Sequence, residues 1–92
     1  DMMAEISLLE VSGESCAICL TLLPVVNRLA AARGWKVEHL EANEQNAQRV
    51  NALGIDRVPT LIVLKDGAEA ARCTGYQPEE ILELWLDAKT QE

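Results

Sequence analysis

The stretch that decides the fold is EVSGESCAIC, residues 10–19, which ends in the cysteine pair CAIC at residues 16–19. The apolar run that leads into it predicts a buried strand over residues 5–11. Ser15 is a common type of N-cap residue, and it predicts a helix that begins at Cys16. A Cys-x-x-Cys pair alone is also typical of zinc and haem sites, so its meaning depends on the rest of the chain.

The pattern that follows predicts two more helices and three more strands. Apolar residues spaced three and four apart continue the first helix to Gly34, and Pro24 is expected to kink it. The predicted strands cover residues 36–42, 60–65 and 68–74, and the predicted helices cover residues 44–53 and 78–89. Asp66-Gly67 is a strong hairpin signal between the last two strands. In the last helix we expect a buried stripe formed by Ile81, Leu82, Trp85 and Ala88.

The resulting order, β-α-β-α-β-β-α, predicts an α/β fold. Strands joined by a helical crossover pair in parallel with a right-handed connection, whereas a two-residue turn joins antiparallel strands. We therefore expect a mixed four-stranded sheet flanked by helices. A chain of 92 residues has the size of one domain, so residues 1–92 are interpreted as a single domain.

The composition argues against several classes of protein. The formal net charge of −7 repels nucleic-acid backbones and anionic lipid, so we expect neither nucleic acid nor membrane as a partner. No apolar run reaches the roughly 18 residues of a membrane span, and we expect no signal peptide. Three cysteines are too few for a secreted scaffold held by disulfides. These features favour a monomeric cytoplasmic protein.

Several motifs together resemble the thioredoxin family. They are the cysteine pair at a strand-to-helix junction, Pro24 in the helix that follows, and GIDRVPT at residues 54–60 before a hairpin. Thr74-Gly75 before the last helix also matches, and the resemblance extends over residues 6–89. It implies a thioredoxin-like fold and a thiol–disulfide oxidoreductase, here a disulfide reductase, with a role in electron transport and cell redox homeostasis. Pro24 matches the family's helix-kinking proline.

The resemblance implies that Cys16 attacks a substrate disulfide and that Cys19 resolves the mixed disulfide. The redox-active disulfide between them then takes the place of a cofactor, and no metal is expected. Glu10 falls where the family has a buried acid, and His39 falls where it has a lysine near that acid. Glu10 is thus a candidate proton acceptor for Cys19, or alternatively a strand-end carboxylate that faces water. His39 is a candidate partner for Glu10.

A second group of candidate residues precedes and follows the predicted hairpin. Pro59 matches the family's cis-proline, and a cis bond would leave the backbone of Val58 free to pair with an extended substrate. Gly75 matches the glycine that borders the substrate groove. The positive charge of Arg57 would favour a thiolate at Cys16 and the negative charge of Glu14 would oppose it, and the sequence does not rank the two effects.

Two departures from the family pattern leave the choice of substrate and the redox potential open. Ser15 replaces the tryptophan that usually precedes the first cysteine, and Ala17-Ile18 replaces Gly-Pro between the cysteines. A helix start stabilises a thiolate, and the chain offers only three cysteines and one histidine, which favours redox chemistry over a zinc site. The alternatives are a non-catalytic binding module with the same fold and a redox-sensing or metal-binding domain that uses the same cysteines.

The redox function implies two kinds of partner. The substrate is expected to be a protein or small-molecule disulfide, and the electron donor a reductase or a thiol pool. Cys73, the third cysteine, is expected to be a free thiol that is buried as a small apolar residue.

Overall fold

The computed structural model describes residues 4–91, in which four strands and three helices follow one another in the predicted order. The strands are β1 (Ile6–Gly13), β2 (Lys36–Ala42), β3 (Thr60–Lys65) and β4 (Ala68–Thr74). The helices are α1 (Ala17–Arg33), α2 (Ala47–Ala52) and α3 (Glu79–Thr90). A 3₁₀ turn at Glu44–Asn46 precedes α2. None of the helices in this described part has the length and apolar character needed to span a membrane.

The strands form one mixed sheet in the order β2-β1-β3-β4, which confirms the predicted α/β fold. β1 and β2 are parallel because α1 carries the chain back between them. β3 is antiparallel to both β1 and β4, and the turn at Asp66-Gly67 joins β3 to β4. The carboxyl ends of β1 and β4 and the amino end of β3 therefore meet at one edge of the sheet.

Two hydrophobic clusters hold the helices against opposite faces of the sheet. Neighbouring residues of a strand point to opposite faces, so Leu8 belongs to the cluster beneath α1 and α3, whereas Leu9 belongs to the cluster with α2. The larger cluster takes its buried helical residues from α1 and α3: Leu22, Val26, Leu29, Ala30, Leu82 and Leu86. Full burial of a leucine or valine stabilises the fold by about 1.5–3 kcal/mol, so these contacts fix α1 and α3 on the sheet.

The starts of the helices differ from the prediction. Ser15 has a left-handed backbone with a φ of 53°, whereas Cys16 is extended and is the N-cap of α1. Pro78 is likewise extended, and it is the N-cap of α3 rather than its first residue. The helix predicted over residues 44–53 begins as the 3₁₀ turn, whose cap is the side chain of Asn43. In each case the local backbone angles, which a residue preference only partly predicts, decide where the helix begins.

The buried stripe of α3 also differs from the predicted one. Leu82 is buried as predicted and Trp85 packs half-buried against the core, but Ile81 and Ala88 are exposed. Leu86, which the prediction omitted, is completely buried. Residues four apart lie on the same side of a helix, so Leu82 and Leu86 face the sheet together and Ile81 points to solvent.

Candidate active site

The two cysteines form a disulfide at the start of α1. Cys16 caps the helix and Cys19 lies in its first turn, with the two Cα atoms 5.3 Å apart. The Sγ atom of Cys16 accepts a hydrogen bond from the backbone N–H of Cys19 at 3.2 Å. The sulfur therefore satisfies one of the N–H groups that a helix start leaves free. These N–H groups and the helix dipole favour a negative charge at this sulfur.

The two cysteines differ in their access to solvent. Cys16 is half-buried, whereas Cys19 is 2% exposed. A molecule that approaches from solvent therefore reaches Cys16 and not Cys19.

The last residue of β1, Gly13, lies close to the segment that precedes β3. A Cβ atom on Gly13 would lie 2.8 Å from Cγ2 of Val58, closer than real Cβ atoms approach, so the close approach depends on glycine. The Val58–Pro59 peptide bond is cis, as predicted, and Pro59 is buried. The carbonyl oxygen of Pro59 accepts a hydrogen bond from the N–H of Gly75 at 2.7 Å. The fold thus brings the cis-proline segment, Val58–Pro59, to the same edge of the sheet as Gly75 and the end of β1.

Arg57 lies beside Gly75. The backbone of Gly75 has a φ of 93°, and a Cβ atom there would lie 3.2 Å from the guanidinium of Arg57. The carbonyl oxygen of Arg57 accepts a hydrogen bond from Oγ1 of Thr60 at 2.6 Å, which fixes the chain on either side of the cis-proline segment. Arg57 therefore adds an exposed positive charge at this edge.

Glu10 lies within β1 and is only 1% exposed. His39 is its partner in the register of β1 and β2, and Nδ1 of His39 lies 3.0 Å from Oε1 of Glu10. The hydroxyl of Ser12 donates a hydrogen bond to Oε2. Both carboxylate oxygens have partners, as a buried carboxylate requires. The alternative in which Glu10 faces water is wrong.

Sequence reasoning missed Ser12. Residues two apart on a strand point to the same face, so Ser12 shares with Glu10 the face that α1 covers. A hydroxyl two positions from a buried acid is the signal that would have found it. His39, the predicted partner of Glu10, has a side chain that is 45% exposed, so it links the buried carboxylate to solvent.

A groove of 690 Å³ opens beside the disulfide. Among its lining residues are both cysteines, Cys16 and Cys19, and the hydrogen-bonded pair of Glu10 and His39. This disulfide groove therefore brings together the cysteines and the buried acid. The cis-proline segment and Gly75 do not line it, so they form a separate part of the candidate site.

The remaining candidates lie apart from the groove. Pro24 is exposed within α1, which continues through it to Arg33. Cys73 is a free thiol opposite Leu61 in the register of β3 and β4, and it is half-buried rather than buried. Burial raises the pKa of Cys73. Within residues 4–91, no group of three or more His, Cys, Asp or Glu side chains is arranged to hold a metal ion.

The chain is similar in sequence to thioredoxins. The family model named Thioredoxin matches residues 2–88. A thioredoxin of Alicyclobacillus acidocaldarius is 36% identical over 72 residues, which are 77% of this chain and 69% of the relative. A thioredoxin of Rhodospirillum rubrum is 36% identical over 77 residues, which are 83% of this chain and 74% of the relative.

Solved structures give the same result. A mutant thioredoxin from Halobacterium salinarum superposes with a TM-score of 0.84 at 27% identity, over 97% of this chain and 78% of that one. A chain from the crystal structure of a ferredoxin:thioredoxin reductase and thioredoxin f2 complex superposes with a TM-score of 0.82 at 25% identity, over 94% and 78%. The mixed sheet with its three helices is therefore the fold of these proteins.

Proposed function

The chain belongs to the thioredoxin family, and we propose that this thiol–disulfide oxidoreductase acts as a disulfide reductase in which Cys16 attacks and Cys19 resolves. The observation that carries the proposal is the disulfide at the N-cap of α1, with one half-buried and one buried cysteine. A substrate has access to the outer sulfur, whereas the inner sulfur needs only to reach its neighbour.

In the proposed reaction, the thiolate of Cys16 attacks one sulfur of a substrate disulfide. A new S–S bond joins Cys16 to the substrate, the substrate's own S–S bond breaks, and its other sulfur leaves as a thiolate that takes up a proton. Cys19 then loses its proton and attacks the sulfur of Cys16. This step forms the Cys16–Cys19 disulfide and releases the second substrate thiol, so two electrons pass from the protein to the substrate.

We assign Glu10 the role of proton acceptor for Cys19. The residue lies on the face of β1 that α1 covers, and both Glu10 and Cys19 line the disulfide groove. Its carboxylate is held in place by hydrogen bonds to Ser12 and His39, and a general base depends on such fixed geometry. The half-exposed His39 offers a path by which the proton reaches solvent.

The cis-proline segment and Gly75 are proposed to bind the substrate backbone. The backbone of a protein segment can pair with an extended peptide through main-chain hydrogen bonds. The hydrogen bond from the N–H of Gly75 to the carbonyl oxygen of Pro59 fixes Gly75 relative to the cis-proline segment. Arg57, beside Gly75, is proposed to tune the site through its positive charge.

The electron donor is proposed to be a reductase or a pool of small thiols. Support comes from the structural neighbour solved in a complex of ferredoxin:thioredoxin reductase and thioredoxin f2. Proteins that keep a dithiol reduced work in a reducing compartment, and we propose the cytoplasm. The substrates are proposed to be disulfides of proteins or small molecules.

Catalysed reduction of insulin by dithiothreitol tests the function. The protein is expected to speed the precipitation of reduced insulin, and Cys16→Ser is expected to abolish the effect. Cys19→Ser is expected to trap a mixed disulfide with the substrate, which mass spectrometry detects. Cys73→Ser is the matched control and should keep the activity. Equal rates for the wild type and Cys16→Ser would contradict the proposal and favour the non-catalytic binding module.

A further inference from the structure

The disulfide groove has more space than the exchange of two sulfurs requires. Its volume is 690 Å³, which lies in the range of small-molecule sites. Near the cysteines it is lined by the small residues Gly13, Ser15 and Ala17, and Leu20 and Leu23 of α1 supply an apolar wall. The groove therefore has room for the substituents that a disulfide substrate carries next to its reacting sulfur.

The charged side chains that line the groove are acidic. Glu14 in the loop before α1 and Glu41 of β2 both line it with exposed side chains. Glu41 lies opposite Ser12 in the register of β1 and β2, which brings it to the end of the sheet where α1 begins. The lining residues in the described part of the chain include no lysine or arginine, and His39 is held by Glu10. A ligand in the groove therefore meets carboxylates, in a chain whose net charge is −7.

We propose that the disulfide groove is a subsite for low-molecular-weight disulfides that carry an ammonium group a few bonds from the reacting sulfur. This inference rests on the proposed function, because the subsite acts on the disulfide that Cys16 attacks. The half of the substrate that stays on Cys16 lies at the groove, where its ammonium group is attracted by Glu14 and Glu41. A disulfide with carboxylate groups is repelled by the same two side chains.

The reaction balances without a further reactant. The reduced protein gives two electrons and two protons to a symmetric disulfide, which leaves as two thiols, while the Cys16–Cys19 disulfide forms. A single turnover of protein that has been reduced beforehand is therefore a complete test, and no reductase is needed.

Three symmetric disulfides of similar length separate charge from size. Cystamine is cationic, hydroxyethyl disulfide is neutral and dithiodipropionate is anionic. Each rate of protein oxidation is divided by the rate at which dithiothreitol reduces the same probe, which removes differences in intrinsic reactivity. After this correction we expect cystamine to react about ten-fold faster than dithiodipropionate at low salt, with the neutral probe between them.

Two variants locate the preference in the groove. Glu14→Gln and Glu41→Gln are each expected to lower the cystamine-to-dithiodipropionate ratio about two- to three-fold, and the ratio cancels any change that the lost charge makes in the reactivity of Cys16 itself. Glu5→Gln is the matched control, since it removes the same charge just before the opposite end of β1. All three side chains are exposed, so the variants are expected to fold. In the wild type, raising the salt from about 0.02 M to about 0.5 M should also shrink the ratio, because salt screens exposed charges.

The outcomes distinguish the subsite from the function. Equal corrected rates for the three probes, or a ratio that salt does not change, would overturn the subsite. A ratio that falls as much in Glu5→Gln as in Glu14→Gln would also overturn it, because the overall charge would then explain the preference. Reaction with the neutral probe would leave the reductase function standing in each of these cases. A protein that reacts with none of the probes would overturn the function as well.

Discussion

In the proposed reaction, Glu10 is the residue that accepts the proton of Cys19. A glutamine in its place has nearly the same shape, and it can still bond Ser12 and His39, since a hydroxyl and an imidazole each donate or accept. We therefore expect Glu10→Gln to fold normally. We expect it to slow the release of the mixed disulfide about 10²-fold at neutral pH, because no carboxylate then takes the proton of Cys19.

A chromogenic aromatic disulfide measures this step. Its first coloured thiolate reports the attack by Cys16, and its second reports the attack by Cys19. Only the second phase is expected to slow in Glu10→Gln, whereas Glu5→Gln removes an exposed carboxylate just before the opposite end of β1 and should leave both phases unchanged. A second phase that keeps its wild-type rate across about pH 6 to 8 would remove Glu10 from the mechanism.

Cys73 is a free thiol that lies apart from the disulfide groove, so its titration can be followed separately in the oxidised protein. Burial raises the pKa of Cys73, because the thiolate loses hydration. In the oxidised protein we expect its alkylation by iodoacetamide to keep accelerating at a pH where alkylation of the urea-unfolded oxidised protein has already levelled off. By linkage, Cys73 contributes stability below its unfolded pKa, and this contribution is lost as the pH rises through the folded pKa. Identical profiles for native and unfolded protein would contradict the raised value.

At the scale of elements, strands are predicted more closely than helix ends. β2, β3 and β4 have the predicted bounds, because Gly, Pro and Asp-Gly turn signals bracket each of them. The start of α1 is displaced because Ser15 adopts a left-handed backbone and the sulfur of Cys16 supplies the cap. A cap of this kind is absent from the usual ranking of N-cap residues.

The candidate site also has one part that the sequence predicts and one part that it does not. The two cysteines lie at the start of one helix, α1, and Glu10 pairs with His39 because β1 and β2 are parallel neighbours. The sequence therefore predicts the cysteine pair and the pairing of Glu10 with His39. Ser12 and the disulfide groove are not predicted. The groove is formed by side chains from α1 and β2 that only tertiary packing brings together, such as Leu23 and Glu41.

Arg33, the last residue of α1, forms ion pairs with two residues of α3. Its guanidinium lies 3.2 Å from Glu83 and 3.0 Å from Asp87 of α3, and 5.6 Å from the centroid of the Trp35 ring. It also donates to the carbonyl oxygen of Leu29 at 3.1 Å. The side chain is only 18% exposed. We expect Arg33→Ala to lower the free energy of unfolding by about 1–2 kcal/mol.

Arg28→Ala is the matched control for this contact. Arg28 reaches α3 through one ion pair with Glu79, and its side chain is 59% exposed. Such exposed ion pairs contribute less than about 1 kcal/mol to the free energy of unfolding, because water and salt screen them. Urea unfolding of the two variants measures the difference. Equal losses would show that the burial of Arg33 and its stacking on Trp35 add nothing to the ion pairs.

At the scale of the whole molecule, the reactive groups occupy one edge of a sheet that the core supports from both faces. The end of β1, the start of β3 and the end of β4 meet there, and α1 begins beside them. The buried clusters hold the sheet and the helices without the two sulfurs, since neither cluster contains Cys16 or Cys19. The fold is therefore expected to survive both redox states.

Reduction of the disulfide tests this independence. The bond joins residues three apart and closes only the short loop of residues 16–19, for which chain entropy predicts a stabilisation of about 2 kcal/mol at 25 °C. We expect reduction to lower the free energy of unfolding by about this amount and to leave the urea dependence unchanged, since the same surface is buried in both states. Cys19→Ser, which cannot form the bond, should show no effect of reductant. A loss above about 4 kcal/mol, or a changed urea dependence, would mean that the disulfide holds tertiary structure. The exchange of sulfurs would then be coupled to a change of fold. Every 1.4 kcal/mol of that change would shift the redox potential of the cysteine pair by about 30 mV.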